Sequence, residues 1–182
     1  ISIPGGYFGG TGAETAELRF QTTAQGTLLS TGSTSQNGGE PMALWIPSGT
    51  KCMEGQIGST LLNTNSFFGT CFSSNVNNVT DGNWHQAVLT LTPGSTCPAG
   101  STTCTPGSFI QTATLYQDGT VLDTQQITKA ATASPTGYVA YIGSGPNSGQ
   151  RSTPDGYFNG SIADVSLYTS ALTSTQVTSD RN

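Results

Sequence analysis

Apolar positions along this chain recur at every second residue, in short runs broken by glycine, proline and asparagine, which is the period of strands. Thr15 to Thr22 places Ala16, Leu18 and Phe20 on one face and Glu17, Arg19 and Gln21 on the other, predicting a strand buried on one side only. Pro41 to Ile46 repeats the pattern, with Met42, Leu44 and Ile46 facing one way and Ala43 and Trp45 the other. The stretch from Asp81 to Leu91 opens on an Asp81-Gly82 turn and then alternates, His85, Ala87, Leu89 and Leu91 against Trp84, Gln86, Val88 and Thr90. Further strands are expected at Ile1 to Ile3, Thr27 to Thr31, residues 50–57 paired with 67–74, Tyr138 to Ile142, and Ile162 to Tyr168. Thr112 to Gln117 and Thr120 to Thr124 flank Asp118-Gly119, a two-residue hairpin signal of type I′, whose central residues both need positive φ. The one helix expected is a turn or two starting at Thr173, where Thr-Ser-Thr-Gln has the form of a capping box.

About ten short strands, regularly spaced turn signals and almost no helix predict an all-β fold, an antiparallel two-sheet β-sandwich of the jelly-roll kind. No internal repeat is visible, which argues against a propeller or β-helix. A length of 182 residues without a compositional break is read as one domain over 1–182.

Charge narrows the partners. Only 8% of residues are charged and the net charge is −5, with Arg19, Lys51, Lys129, Arg151 and Arg181 scattered rather than clustered. Nucleic acid is therefore excluded as an expected partner, because phosphate neutralisation needs grouped cations. No apolar run approaches the ~18 residues that span a bilayer, so membrane insertion is not expected. The first 20 residues lack the basic start and apolar core of a signal peptide, which fits a module cut from a larger secreted protein.

Four cysteines form two local pairs, and two disulfides are expected, Cys52 to Cys71 and Cys97 to Cys104. The spacing lacks the short paired knuckles of a zinc site. Disulfides place the chain in an oxidising, extracellular or cell-surface compartment.

Candidate chemistry starts from His85, the only histidine, which shares the parity of Ala87, Leu89 and Leu91. It reads as a hydrogen-bonded structural residue rather than a catalytic base. No Glu-x-Asp or Glu-x-Glu presents two carboxylates on one strand, as sandwich glycosidases do, so no enzyme activity is expected. Ala16-Glu17-Leu18-Arg19 is similar to a motif of alginate-lyase jelly rolls, but their Gln-x-His and Tyr-x-Lys pieces are missing. Trp45 and Tyr116 stand opposite their apolar neighbours and are candidates for a solvent-facing glycan platform, with Gln56 and Asn83 as polar neighbours. Packing against edge loops is the competing reading of both aromatics.

Four segments occur in the order and spacing of laminin-G-like, concanavalin-A-like jelly rolls. They are Ala16 to Thr22 with Gly26 to Leu29; Asp81-Gly82-Asn83-Trp84-His85; Thr114 to Gly119; and Tyr157-Phe158-Asn159-Gly160 running to Tyr168 and on to Ala171-Leu172. The chain resembles the modules of that family found in large secreted bacterial proteins. It departs from them in having Arg19 where tryptophan is common, Ala163 in place of the first of two acidic residues, and the Cys97 to Cys104 loop as an insertion. The resemblance implies a structural calcium site for which Asp164 is the matching carboxylate; the alternative is that Asp164 hydrogen-bonds backbone at a bulge. It also implies an extracellular, non-catalytic module that recognises a glycan or a cell-surface protein for its parent chain. The alternatives are a structural or display module packed on neighbouring domains of the parent, and, more distantly, a polysaccharide-degrading enzyme.

Overall fold

A computed structural model describes residues 2–3, 12–33, 42–57, 60–62, 77–129, 138–145 and 157–180. In chain order the strands are β1 (Ser2–Ile3), β2 (Glu14–Thr22), β3 (Gly26–Ser33), β4 (Met42–Ile46), β5 (Glu54–Ile57), β6 (Thr60–Leu62), β7 (Trp84–Leu91), β8 (Ser95–Thr96), β9 (Phe109–Gln117), β10 (Thr120–Lys129), β11 (Tyr138–Ile142) and β12 (Gly160–Tyr168). One helix, α1 (Ser174–Ser179), follows. One sheet has the order β1-β11-β3-β4-β5-β6 and the other β10-β9-β7-β2-β12, with β8 pairing β9. Every pairing between these strands is antiparallel.

The alternation seen in sequence is what builds the core. Ala16, Leu18 and Phe20 of β2, Ala87, Leu89 and Leu91 of β7, and Ala113 and Leu115 of β9 meet Leu28, Leu29, Met42, Leu44, Ile46 and Ile57 of the facing sheet. Such interdigitation between two inner faces is the ordinary way a sandwich excludes water. At Gly55 of β5 the facing sheet packs tightly, since a Cβ there would lie 3.3 Å from the Leu115 side chain.

The Asp118-Gly119 turn forms as expected, with φ of 50° and 76°. The capping box forms as well: Thr173 Oγ1 accepts from the Gln176 N–H, and Gln176 Oε1 accepts from the Thr173 N–H at 2.8 Å. Cys97 and Cys104 are joined. Cys52 is buried, and its expected bridge lies outside the described residues, as Cys71 does. Residues 67–74, expected to pair with 50–57, fall there too; the described partners of β5 are β4 and β6.

One expectation about exposure is corrected here. The outer side of β2 is not open along its whole length, since Glu17 on that side is only 6% exposed. A second, smaller cluster of Val88, Tyr116, Leu172 and Val177, with Tyr168 against it, roofs this part of the sheet. Under that roof Gln86 Nε2 donates to Glu17 Oε1 at 2.6 Å and to the Val177 carbonyl of α1 at 3.0 Å.

β12 carries an irregularity that explains an oddity of its sequence. Ile162, Val165 and Leu167 all pack on the core although 162 and 165 have opposite parity. A bulge between Ala163 and Ser166 absorbs the extra residue, with Asp164 at φ 51°. Just before it, Gly160 is obligatory on grounds of space: a Cβ would fall inside contact distance of the Gln21 carbonyl and 2.8 Å from the Phe158 ring.

Candidate functional site

Two of the four family segments are one structural unit. His85 Nδ1 is 2.8 Å from Asp118 Oδ2 in the β9–β10 turn, and Nε2 is 3.0 Å from Asp81 Oδ1 in the turn before β7. A carboxylate on each nitrogen favours the doubly protonated ring, so the Asp118 hydrogen bond above all raises the His85 pKa, against the opposing effect of burial. Asp81 is lowered to about 2 by the Asn83 backbone N–H first and by His85 second. Burial works to raise Asp118, but hydrogen bonds from His85 and the Gln86 N–H outweigh it and hold this carboxyl below its usual value. The ring also lies 5.8 Å from Phe20. With both nitrogens engaged by carboxylates, His85 has no nitrogen left to activate a nucleophile.

The residue before it is different. Trp84 is 44% exposed on the outer face of the β10-β9-β7-β2-β12 sheet, past the edge of the α1 roof. It stands directly across from Gln21 of β2. Gln21 Nε2 donates to the Gly82 carbonyl at 2.6 Å, while Asn83 donates from its backbone N and from Nδ2 to Asp81. These two amides hold the turn that presents the indole. Arg19, two residues from Gln21 on the same face, has its guanidinium 5.9 Å from the Trp84 centroid. That is at the outer limit of about 6 Å for a cation–π contact, so the cation borders the ring rather than capping it. Arg19 Nη1 lies 3.8 Å from Asp164 Oδ2, and the Asp164 side chain is 70% exposed. Indole, guanidinium and carboxylate thus form one row across β7, β2 and the β12 bulge.

The expected platform is not assembled. Trp45 is 3% exposed, a correction to its solvent-facing placement: it points away from Leu44 and Ile46 as its parity requires, yet that outer face is itself covered. Its cross-strand neighbours Thr27 and Glu54 are buried with it. Tyr116 is 7% exposed and belongs to the cluster under α1, a second correction. The two aromatics lie on different sheets. Gln56 is half-buried on β5, whereas Asn83 is exposed beside Trp84. Trp84 and Arg19, absent from the expected set, were legible by parity, because Trp84 alternates against Ala87, Leu89 and Leu91.

A calcium ion needs six to eight oxygens. Among the described residues no group of three acidic, histidine or cysteine side chains is placed to hold a metal. Asp164, the carboxylate expected of such a site, has the Arg19 guanidinium as its described neighbour. No described helix is long and apolar enough to cross a membrane.

A laminin-G-type family model described as the concanavalin A-like lectin/glucanases superfamily matches residues 1–178. The chain belongs to this superfamily. No curated protein matches it. Among solved structures, domain 4 of an extracellular arabinanase from Geobacillus stearothermophilus, in complex with arabinotriose, is similar at TM-score 0.55 and 14% identity, covering 100% of this chain and 72% of that one. Laminin-G domains 4 and 5 of the mouse laminin α1 chain match at TM-score 0.54 and 12% identity, over 96% and 40%. A Trypanosoma rangeli sialidase matches at TM-score 0.56 and 15% identity, over 94% of this chain but 23% of its own length. At these identities the likeness is one of fold. It is a fold that carbohydrate-binding domains share with glycosidases.

Proposed function

We propose that this superfamily member is a non-catalytic, extracellular carbohydrate-binding module whose ligand lies on the outer face of the β7/β2/β12 region. The observation that carries the reading is the exposed indole of Trp84, bordered by Arg19, which in turn neighbours Asp164. Aromatic faces meet the C–H patches of sugar rings, and flanking polar groups orient the hydroxyls. The arabinotriose held by the arabinanase domain supports a sugar as the class of ligand. The non-catalytic part rests on the commitment of the lone histidine to Asp81 and Asp118 and on a sequence without an alternating acidic pair. The extracellular part rests on the Cys97–Cys104 disulfide.

The test is a glycan array followed by calorimetry, with Trp84→Ala as the control. Capture of one glycan class by the native chain, lost in Trp84→Ala at unchanged melting temperature, is the expected result. Equal capture by both proteins would place the ligand elsewhere.

A further inference from the structure

We infer that the glycan is an uncharged sugar, its C–H face on Trp84 and two neighbouring hydroxyls on the Asp164 and Arg19 pair; this rests on the binding role proposed above. Four observations carry it. First, the polar groups beside Trp84 are unequally committed. Gln21 and Asn83 each spend a side-chain N–H on the turn at 81–83. Arg19 and Asp164 stand 3.8 Å apart, beyond hydrogen-bond length, so Arg19 keeps its donors and Asp164 its acceptors for a ligand.

Second, the pair carries one charge of each sign. Vicinal hydroxyls use both members at once, since the carboxylate accepts two O–H groups and the guanidinium donates to a hydroxyl oxygen. A uronate or sulfate would gain Arg19 but bring a second anion up to Asp164, on a chain whose net charge is already −5.

Third, the carboxylate is presented by backbone geometry. Asp164 occupies the left-handed region at φ 51° inside the β12 bulge, which turns its side chain toward the same face as Arg19. Fourth, Arg19 borders the indole without covering it, leaving the ring open to a sugar.

The sign of one substitution separates the charge classes. The probes are neutral hexose and pentose oligosaccharides beside uronic-acid and sulfated ones, titrated at low and high salt against the native chain, Trp84→Ala and Asp164→Asn. Asparagine tolerates positive φ, so Asp164→Asn is expected to keep the native melting temperature. The expected result is binding of a neutral sugar with an affinity that salt barely alters, lost in Trp84→Ala and weakened about tenfold in Asp164→Asn. Binding of an acidic glycan that weakens steeply with salt and tightens in Asp164→Asn would overturn the inference while leaving the binding role intact. So would a neutral sugar whose affinity Asp164→Asn does not change. Absence of binding to every probe, or full binding by Trp84→Ala, would bring down the binding face itself.

Discussion

His85 is the residue on which the most local structure converges, since it ties the turn before β7 to the β9–β10 turn through two carboxylates. Its protonation therefore acts on stability with a definite sign. A folded pKa above the ordinary 6.5 means that the His85 contribution is fully present below 6.5 and is lost as pH rises through the folded value. Asp81, lowered from 3.8 to about 2, and Asp118, also lowered, contribute above 3.8 and lose that contribution as pH falls toward the folded values. Thermal melts over the acid-to-alkaline range should show a plateau between pH 3.8 and 6.5, declining on both sides. In His85→Gln the alkaline decline should vanish; a decline of the same size in that variant would remove His85 as its cause. Gly160 makes a second prediction at this scale. A methyl group there has to displace the Gln21 backbone or the Phe158 ring, so Gly160→Ala should cost about 1–3 kcal/mol in denaturant unfolding.

Among the elements, α1 matters out of proportion to its length. Its capping box satisfies two N-terminal groups, and the helix seats Val177 over Val88 and Tyr116. Thr173→Ala should destabilise the protein by about 1 kcal/mol, and near-ultraviolet dichroism should register the loosened packing around Tyr116. The two tryptophans should behave oppositely. Trp45 is buried on β4, and Trp45→Ala should cost about 3–5 kcal/mol of stability. Trp84→Ala should leave stability nearly unchanged while abolishing glycan binding, and a paired melt and binding assay on the two variants tests the assignment directly.

For the whole molecule, the Cys97–Cys104 bridge closes a short loop beside β8, which among the described residues joins the sheet through β9. The double variant Cys97→Ser/Cys104→Ser should lose about 2 kcal/mol yet retain a single cooperative transition, because the core cluster does not include either cysteine. Splitting of the melt into two transitions would mean that the loop organises more of the sandwich than its position implies.

What the sequence by itself determined is the longer strands and the inner faces of β2, β4 and β7, because alternation at period 2 is a local property that burial of one face rewards directly; the short β6 and β8 and the bulge in β12 leave no such pattern. It also determined the type I′ hairpin at Asp118-Gly119 and the Thr173 cap, where a few adjacent residues contain the whole stereochemical requirement. Whether an outer face meets water is decided elsewhere, by segments distant along the chain. The same parity that turns Trp45, Tyr116 and Trp84 away from the core leaves two of them buried and one open. Only the tertiary structure, by laying α1 over one end of the β7 and β9 outer face and stopping short of Trp84, selects the residue that remains free to meet a ligand.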